Sequence, residues 1–218
     1  VKRLTGRPVG INLEPVEAGA GEVDSLWAMT RGRMATLDNA KKAVQMGVDL
    51  ILLTGNPGTG VTNRAITDTL ELFHAHLGDR LILCAGKMHA SGVPGEGGEN
   101  IITPADVEAF ARAGADVILL PAPGTVPGIT TPFVRGLVEK AHLLGKLAMT
   151  AIGTSQEGAD TDTIRRIALE CKMTGADIHH LGDSGYTGIA APENITAYSV
   201  AIRGLRHTYR RMGMSTER

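Results

Sequence analysis

Three stretches of this chain superimpose without a gap: "MGVDLILLTG" from Met46, "AGADVILLPA" from Ala113 and "TGADIHHLGD" from Thr174. Asp49, Asp116 and Asp177 fall in register. Each stretch follows an amphipathic helical segment, "NAKKAVQ", "ADVEAFARA" and "TIRRIALECKM" in turn. Between them lie three further strand-like runs, "RPVGINLE", "RLILCAGKMH" and "KLAMTAIGTS". Strand and helix therefore alternate, with two kinds of unit taking turns. Apolar strands separated by helices form a parallel sheet covered by those helices, because each strand must bury both faces.

The fold class this predicts is α/β, a barrel of the TIM (β/α)8 type. Eight units complete such a barrel and six are visible. By their alternation these read as units three to eight, with the first two ahead of Val1. The 218 residues are then a single α/β-barrel domain, N-terminally incomplete. A six-stranded open sheet is the competing architecture. Thr36, Thr62, Thr103, Thr131 and Thr161 or Asp162 suit helix N-caps, and Pro104, Pro132 and Pro192 suit first helical positions. The phrases "LLTGNPGTGVT" and "LLPAPGTVPGIT" are one strand-to-helix turn used in two equivalent units. Every Gly-rich segment falls after a strand and before a helix. In a parallel α/β protein those loops share the carboxyl end of the strands, where ligands bind.

Composition narrows the classes. Hydrophobic residues are 43%, charged residues 21%, aromatics only 3%, and 28 residues are Gly, so the core is aliphatic. A net charge of −1 gives no reason to expect nucleic acid. No apolar run approaches the roughly 20 residues that span a bilayer. Cys84 and Cys171 read as buried thiols of a cytoplasmic protein.

Strand side chains alternate in direction, so parity assigns a face. One parity choice gathers Asn12, Glu14, Asn56, Lys87, His89 and His180 at the ligand end, with Gly153, Ser155, Gly182 and Ser184 beside them and His179 turned outward. An acid, an amine and imidazoles in one mouth suit proton transfer or amine catalysis on a carbonyl. Lys87 follows a buried strand, where a lysine needs a partner; its structural reading is an ion pair with Glu14. His89 and His180 also suit hydrogen-bonded core positions. A divalent metal on Glu14, His89 and His180 has no supporting HExxH or CxxC spacing, and no cofactor is identified. The loop "HHLGDSGYTGIAAPENI", with Gly182, Gly185 and Gly188 before a helix at Pro192, suits an anion. Gly153, Thr154 and Ser155 stand next door. Two long insertions, one with Trp27, Arg31 and Arg33 and the other "ASGVPGEGGEN", are candidate lids. The basic run "RGLRHTYRR" reads as a solvated last helix or a contact in a homo-oligomer. "DTDT" at Asp160 matches the opening of haloacid-dehalogenase phosphatases. A polar loop precedes it, however, so Asp160 and Asp162 are better read as helix-start residues.

At "GNPGTGVTNRAI", "AGKMHASG", "LLPAPGTVPGIT", "AIGTSQEGAD" and "GDSGYTGIA" the chain resembles a family of bacterial barrel proteins sometimes grouped with haloacid-dehalogenase-like hydrolases. More distantly it is similar to the phosphate-binding barrels, including the BtpA-like and phosphoenolpyruvate mutase groups. The resemblance implies a barrel and a small phosphorylated or carboxylated ligand. The expectation is a lyase, aldolase or isomerase: phosphate on Gly153, Thr154, Gly182, Ser184 and Gly185, Lys87 on a developing enolate or imine, and Glu14 or His89 moving protons. The alternatives are a non-catalytic metabolite-binding or regulatory barrel, and a phosphoester hydrolase.

Overall fold

The computed structural model describes residues 1–17, 30–90, 93–183 and 190–214. Six strands run β1 (Gly10–Leu13), β2 (Leu50–Leu53), β3 (Ile82–Gly86), β4 (Val117–Pro121), β5 (Leu147–Ile152) and β6 (Ile178–Leu181). The helices are α1 (Lys2–Thr5), α2 (Leu37–Gln45), α3 (Asn63–Leu77), α4 (Pro104–Arg112), α5 (Thr131–Leu143), α6 (Thr161–Met173) and α7 (Pro192–Gly213). The strands pair in chain order, every pair parallel. The sheet curls into a half-barrel of the TIM type, with β1 and β6 as its two edges.

Two packed layers follow from the strand alternation. Leu13, Ile51, Leu53, Leu83, Ala85, Ile118 and Leu120 join helix residues such as Ile66, Phe73, Phe110 and Leu137 in one core on the convex face. Ala122 and Ile152 continue that face against Ile164, Ile167 and Tyr198 of the last two helices. The intervening residues, Leu52, Cys84, Val117, Leu119, Met149 and Ala151, pack with one another inside the curl. Both cysteines are buried thiols. Burial pushes Cys84 up to about 12, with Asp116 adding to the effect.

The repeated aspartate explains the shared phrase. After α2, α4 and α6 the chain turns at Gly47, Gly114 and Gly175, all at positive φ, where glycine avoids a Cβ clash. The aspartate two residues later reaches the preceding strand. Asp49 accepts from Val9 N–H (2.8 Å), Asp116 from Leu83 N–H (2.9 Å) and Asp177 from Ala148 N–H (2.8 Å). Each carboxylate thus ties its own strand to the one before it, at the amino-terminal end of the sheet.

Helix starts follow side-chain capping. Thr36, Thr62 and Thr103 cap α2, α3 and α4 as expected, Thr103 in a reciprocal capping box with Asp106. Two expectations move. α5 is capped by Thr130, not Thr131, which leaves Pro132 second in the helix. α6 is capped by Asp160, whose carboxylate accepts from the N–H groups of Asp162 and Thr163. A carboxylate satisfies two exposed amides at once and interacts well with the helix dipole, which the Thr161 hydroxyl could not match. Among the described residues no helix is long and apolar enough to cross a membrane.

Candidate active site at the carboxyl ends of the strands

Register decides which expected residues meet. Asn12 pairs with Leu52 and Leu52 with Cys84, so Glu14, Thr54 and Gly86 continue one parity. Lys87 lies one residue beyond that set, and His89 shares its parity. The parity placing both beside Glu14 is therefore off by one. Chain direction after Gly86 is no longer set by the sheet, and Lys87 is buried regardless, at 1% exposure. His180 pairs with Ala151 on the inner face, and His179 turns outward to Tyr198, its Nδ1 3.0 Å from the phenol oxygen.

Glu14 is buried and paired with Arg33. The short turn Arg31–Arg33 brings that guanidinium in, and Met34 bridges to Glu14 beside β1. Burial raises the Glu14 carboxyl, while Arg33 and the Asn56 N–H oppose the rise. Asn12 Nδ2 donates to the Thr54 carbonyl at 3.4 Å. The Asn56 side chain accepts from Gly58 N–H at 2.7 Å and caps its own turn. These residues form one neighbourhood, around the mouths of β1 and β2.

A second neighbourhood gathers at β3, β5 and β6, and it contains a residue the sequence reading passed over. Glu157, on the Gln156–Gly158 turn after β5, is 4% exposed. A Cβ at Gly182 would sit 2.9 Å from its Oε1, and a Cβ at Gly153 only 2.7 Å from Met88 Sδ. The β3 loop therefore reaches β5, and the β5 turn reaches β6. Asn194 of α7 fixes that turn by donating to Glu157 O (2.7 Å) and Ala159 O (2.9 Å). Ser155, just before it, has φ 76°, a left-handed conformation unusual for a non-glycine residue.

The three chemical groups here influence one another. Burial lowers the His89 pKa, Glu157 opposes that, and Lys87 adds to the lowering. Burial also lowers His180, with Asp183 opposing. His180 Nδ1 and Thr54 Oγ1 are buried without hydrogen-bond partners among the described residues. Both therefore keep hydrogen-bonding capacity inside the curl.

The expected anion loop is described in part. Ser184 and Gly185, with Gly188, lie outside the described residues, as does Trp27. Gly182 N–H donates to Ile152 O at 2.8 Å, so Gly182 offers space and not its amide. Thr154 Oγ1 donates to Thr125 O at 3.1 Å, and Ser155 is exposed. α7 begins at Pro192 with no side-chain cap; Pro192 has no N–H and Asn194 N–H donates to Ala191 O at 3.0 Å, so Glu193 N–H is the first-turn amide left toward an anion. Among the described residues no three His, Cys, Asp or Glu side chains are grouped as metal ligands, so the Glu14, His89 and His180 set is not assembled.

A protein named as an N-acetylmannosamine-6-phosphate 2-epimerase of Haemophilus influenzae is 38% identical over 97 residues, 42% of this chain and 36% of that protein. Its namesake from Proteus mirabilis is 35% identical over 88 residues, 40% of this chain and 32% of that protein. The match thus spans about a third of each relative. Among solved structures, the tetrameric deoxyribose phosphate aldolase of Aeropyrum pernix aligns with a TM-score of 0.60 at 16% identity, over 98% of this chain and 75% of its own. A protein described as a deoxyribose-phosphate aldolase of Coccidioides immitis gives 0.57 at 10% identity, over 90% and 68%. At such identities the structural likeness establishes the barrel fold. Over residues 1–218 the sequence matches one family model throughout, and the chain belongs to that family, Domain of unknown function DUF7916.

Proposed function

We propose that this chain carries the catalytic face of a barrel isomerase or lyase for a phosphorylated sugar, one that moves a proton on the carbon beside a carbonyl. The observation that carries the reading is a lysine and a glutamate, both almost fully buried, acting on the same histidine at the carboxyl ends of the strands. Buried charges are retained where they have work or partners. The partial match to phosphosugar 2-epimerases supplies the substrate class.

In this mechanism the phosphate lies near Gly153, Thr154 and Gly182, against the start of α7. Lys87 sits at the carbonyl oxygen. Glu157 takes the proton from the adjacent carbon, and the C–H electron pair moves to that oxygen as an enolate, which the Lys87 ammonium stabilises. Glu157 releases that proton to solvent, and a solvent proton delivered to the opposite face of the same carbon inverts it. His89, kept neutral by burial, hydrogen-bonds the intermediate. Glu14 is committed to Arg33 and orients the neighbouring loop, while Asn12 and Asn56 line the opposite wall and His180 stands on the β6 side. The left-handed Ser155 fits a site that stores backbone strain.

The test is proton NMR of N-acetylmannosamine 6-phosphate with the protein in deuterium oxide. The expected result is loss of the C2 proton signal with growth of the epimer. Lys87→Ala and Glu157→Gln should each slow exchange by about 10²-fold or more. Tight binding with an intact C2 proton would instead favour a metabolite-binding barrel. A lysine at this position also suits an imine. Borohydride reduction that fixes substrate on Lys87 would assign aldolase chemistry in place of proton transfer.

A further inference from the structure

Between the segment preceding β1 and both halves of α7, from Ile195 near the start of the helix to Met214 just past its end, lies a cavity of about 700 Å³. Arg7, Arg203 and Arg211 line it, and no carboxylate does. Arg7 donates to the Arg211 carbonyl, which seats the end of α7 against the amino-terminal end of β1. Arg203 also acts on His179, whose pKa it helps burial to lower. α7 carries four arginines against one glutamate, in a chain whose net charge is −1. Ile195, Met212 and Met214 supply an exposed apolar wall.

The cavity is shaped by a break in the helix. Gly204, inside α7, has φ 76° and ψ 163°, a region open only to glycine. A Cβ there would meet nothing within 4 Å, so the backbone angle and not space demands glycine. Thr208 holds the break, donating to Gly204 O at 2.9 Å while its oxygen lies 3.0 Å from Ser199 Oγ. Those hydroxyls are occupied, which leaves the guanidinium groups as the donors facing the cavity.

We infer that this cavity is a second anion site, distinct from the candidate active site, that binds a phosphate or phosphate monoester between Arg203, Arg211 and Arg7. Planar guanidinium groups present paired N–H donors that match phosphate oxygens. The bound anion would bridge the last helix to the segment ahead of β1. The apolar wall favours an ester whose body covers Ile195 and the two methionines.

Equilibrium dialysis with radiolabelled inorganic phosphate, at ionic strength fixed with sodium chloride, tests this. The double variant R203A/R211A should lose one equivalent per chain or bind it at least tenfold more weakly, and Lys87→Ala should keep that equivalent. Gly204→Ala should behave like the arginine variant. An unchanged number and strength of sites in R203A/R211A overturns the proposal. On the unmodified protein, phosphate but not chloride should slow phenylglyoxal modification of Arg203 and Arg211, and equal rates count against the site. Competition by a phosphosugar below the phosphate concentration would identify an ester as the occupant, and competition only at equal concentration would identify free phosphate.

Discussion

Gly182 is hemmed in by backbone as well as by the Glu157 side chain. A methyl group there would press on the Ile152 carbonyl at 2.8 Å as well as on Glu157. Backbone cannot yield as a side-chain tip can, so the Glu157 carboxylate would be displaced. Gly182→Ala should therefore keep the fold by circular dichroism and lose tenfold or more of C2 exchange, since misplacement by about 1 Å costs this much. Unchanged exchange would remove Glu157 from the chemistry. A second prediction concerns pH. His89, His179 and His180 all titrate below the ordinary 6.5, chiefly through burial. The unfolded chain thus binds protons first, and stability is fully present above about pH 6.5 and falls as pH drops below it. Glu14, raised from 4.5, acts in the opposite sense, but in a window that begins lower. Urea midpoints should decline between pH 7 and pH 5.5; a flat profile would mean the histidines are solvated. Lys87 was legible because a lysine after a buried strand stands out. Glu157 was not, because "GTSQEGAD" reads as a polar loop and its burial depends on Asn194 from a distant helix.

The elements were the most legible level, since the aspartate register and the glycine turns recur at each second unit. What the pattern could not supply was the stagger between strands. Similar-looking runs at β1 and β3 suggested that Asn12 and Lys87 lie level, whereas hydrogen-bond pairing sets Asn12 level with Cys84. Stagger is a property of the curled sheet and not of any single strand. The aspartate clamps give a test at this scale. Asp177 accepts from Ala148 N–H and from His142. Burial raises its carboxyl, but these partners outweigh that and hold it below 3.8. Its stabilisation is therefore present above about pH 4 and lost as pH falls through the lowered value. Asp177→Ala should cost about 1–2 kcal/mol at neutral pH, read from the urea midpoint, and the difference from the unaltered protein should vanish in acid. Asp162→Ala, at a side chain 90% exposed, is the contrasting change and should leave the midpoint in place.

The molecule as a whole is held more firmly by its helix-facing layer than by the inside of the curl. Along the convex face Leu83, Ile118 and Leu120 are sealed beneath helices. On the concave face burial is complete only at the central strands and toward the carboxyl ends. At the amino-terminal end Ile82 remains 46% exposed and Leu147 48%. In a parallel sheet with short edge strands, the helices supply most of the apolar contact, and an inner residue gains only what its strand neighbours provide. Truncating one residue from each layer separates the contributions. Leu83→Ala, at 1% exposure, should destabilise by about 2–5 kcal/mol, since a cavity opens under α3 and α4. Ile82→Ala and Leu147→Ala should each cost about 1 kcal/mol or less, because half of each side chain already meets solvent. If the inner changes cost as much as Leu83→Ala in urea titrations, the curl must be covered in solution by further chain or by a second copy. The half-barrel with two bare edges would then not be the state that unfolds.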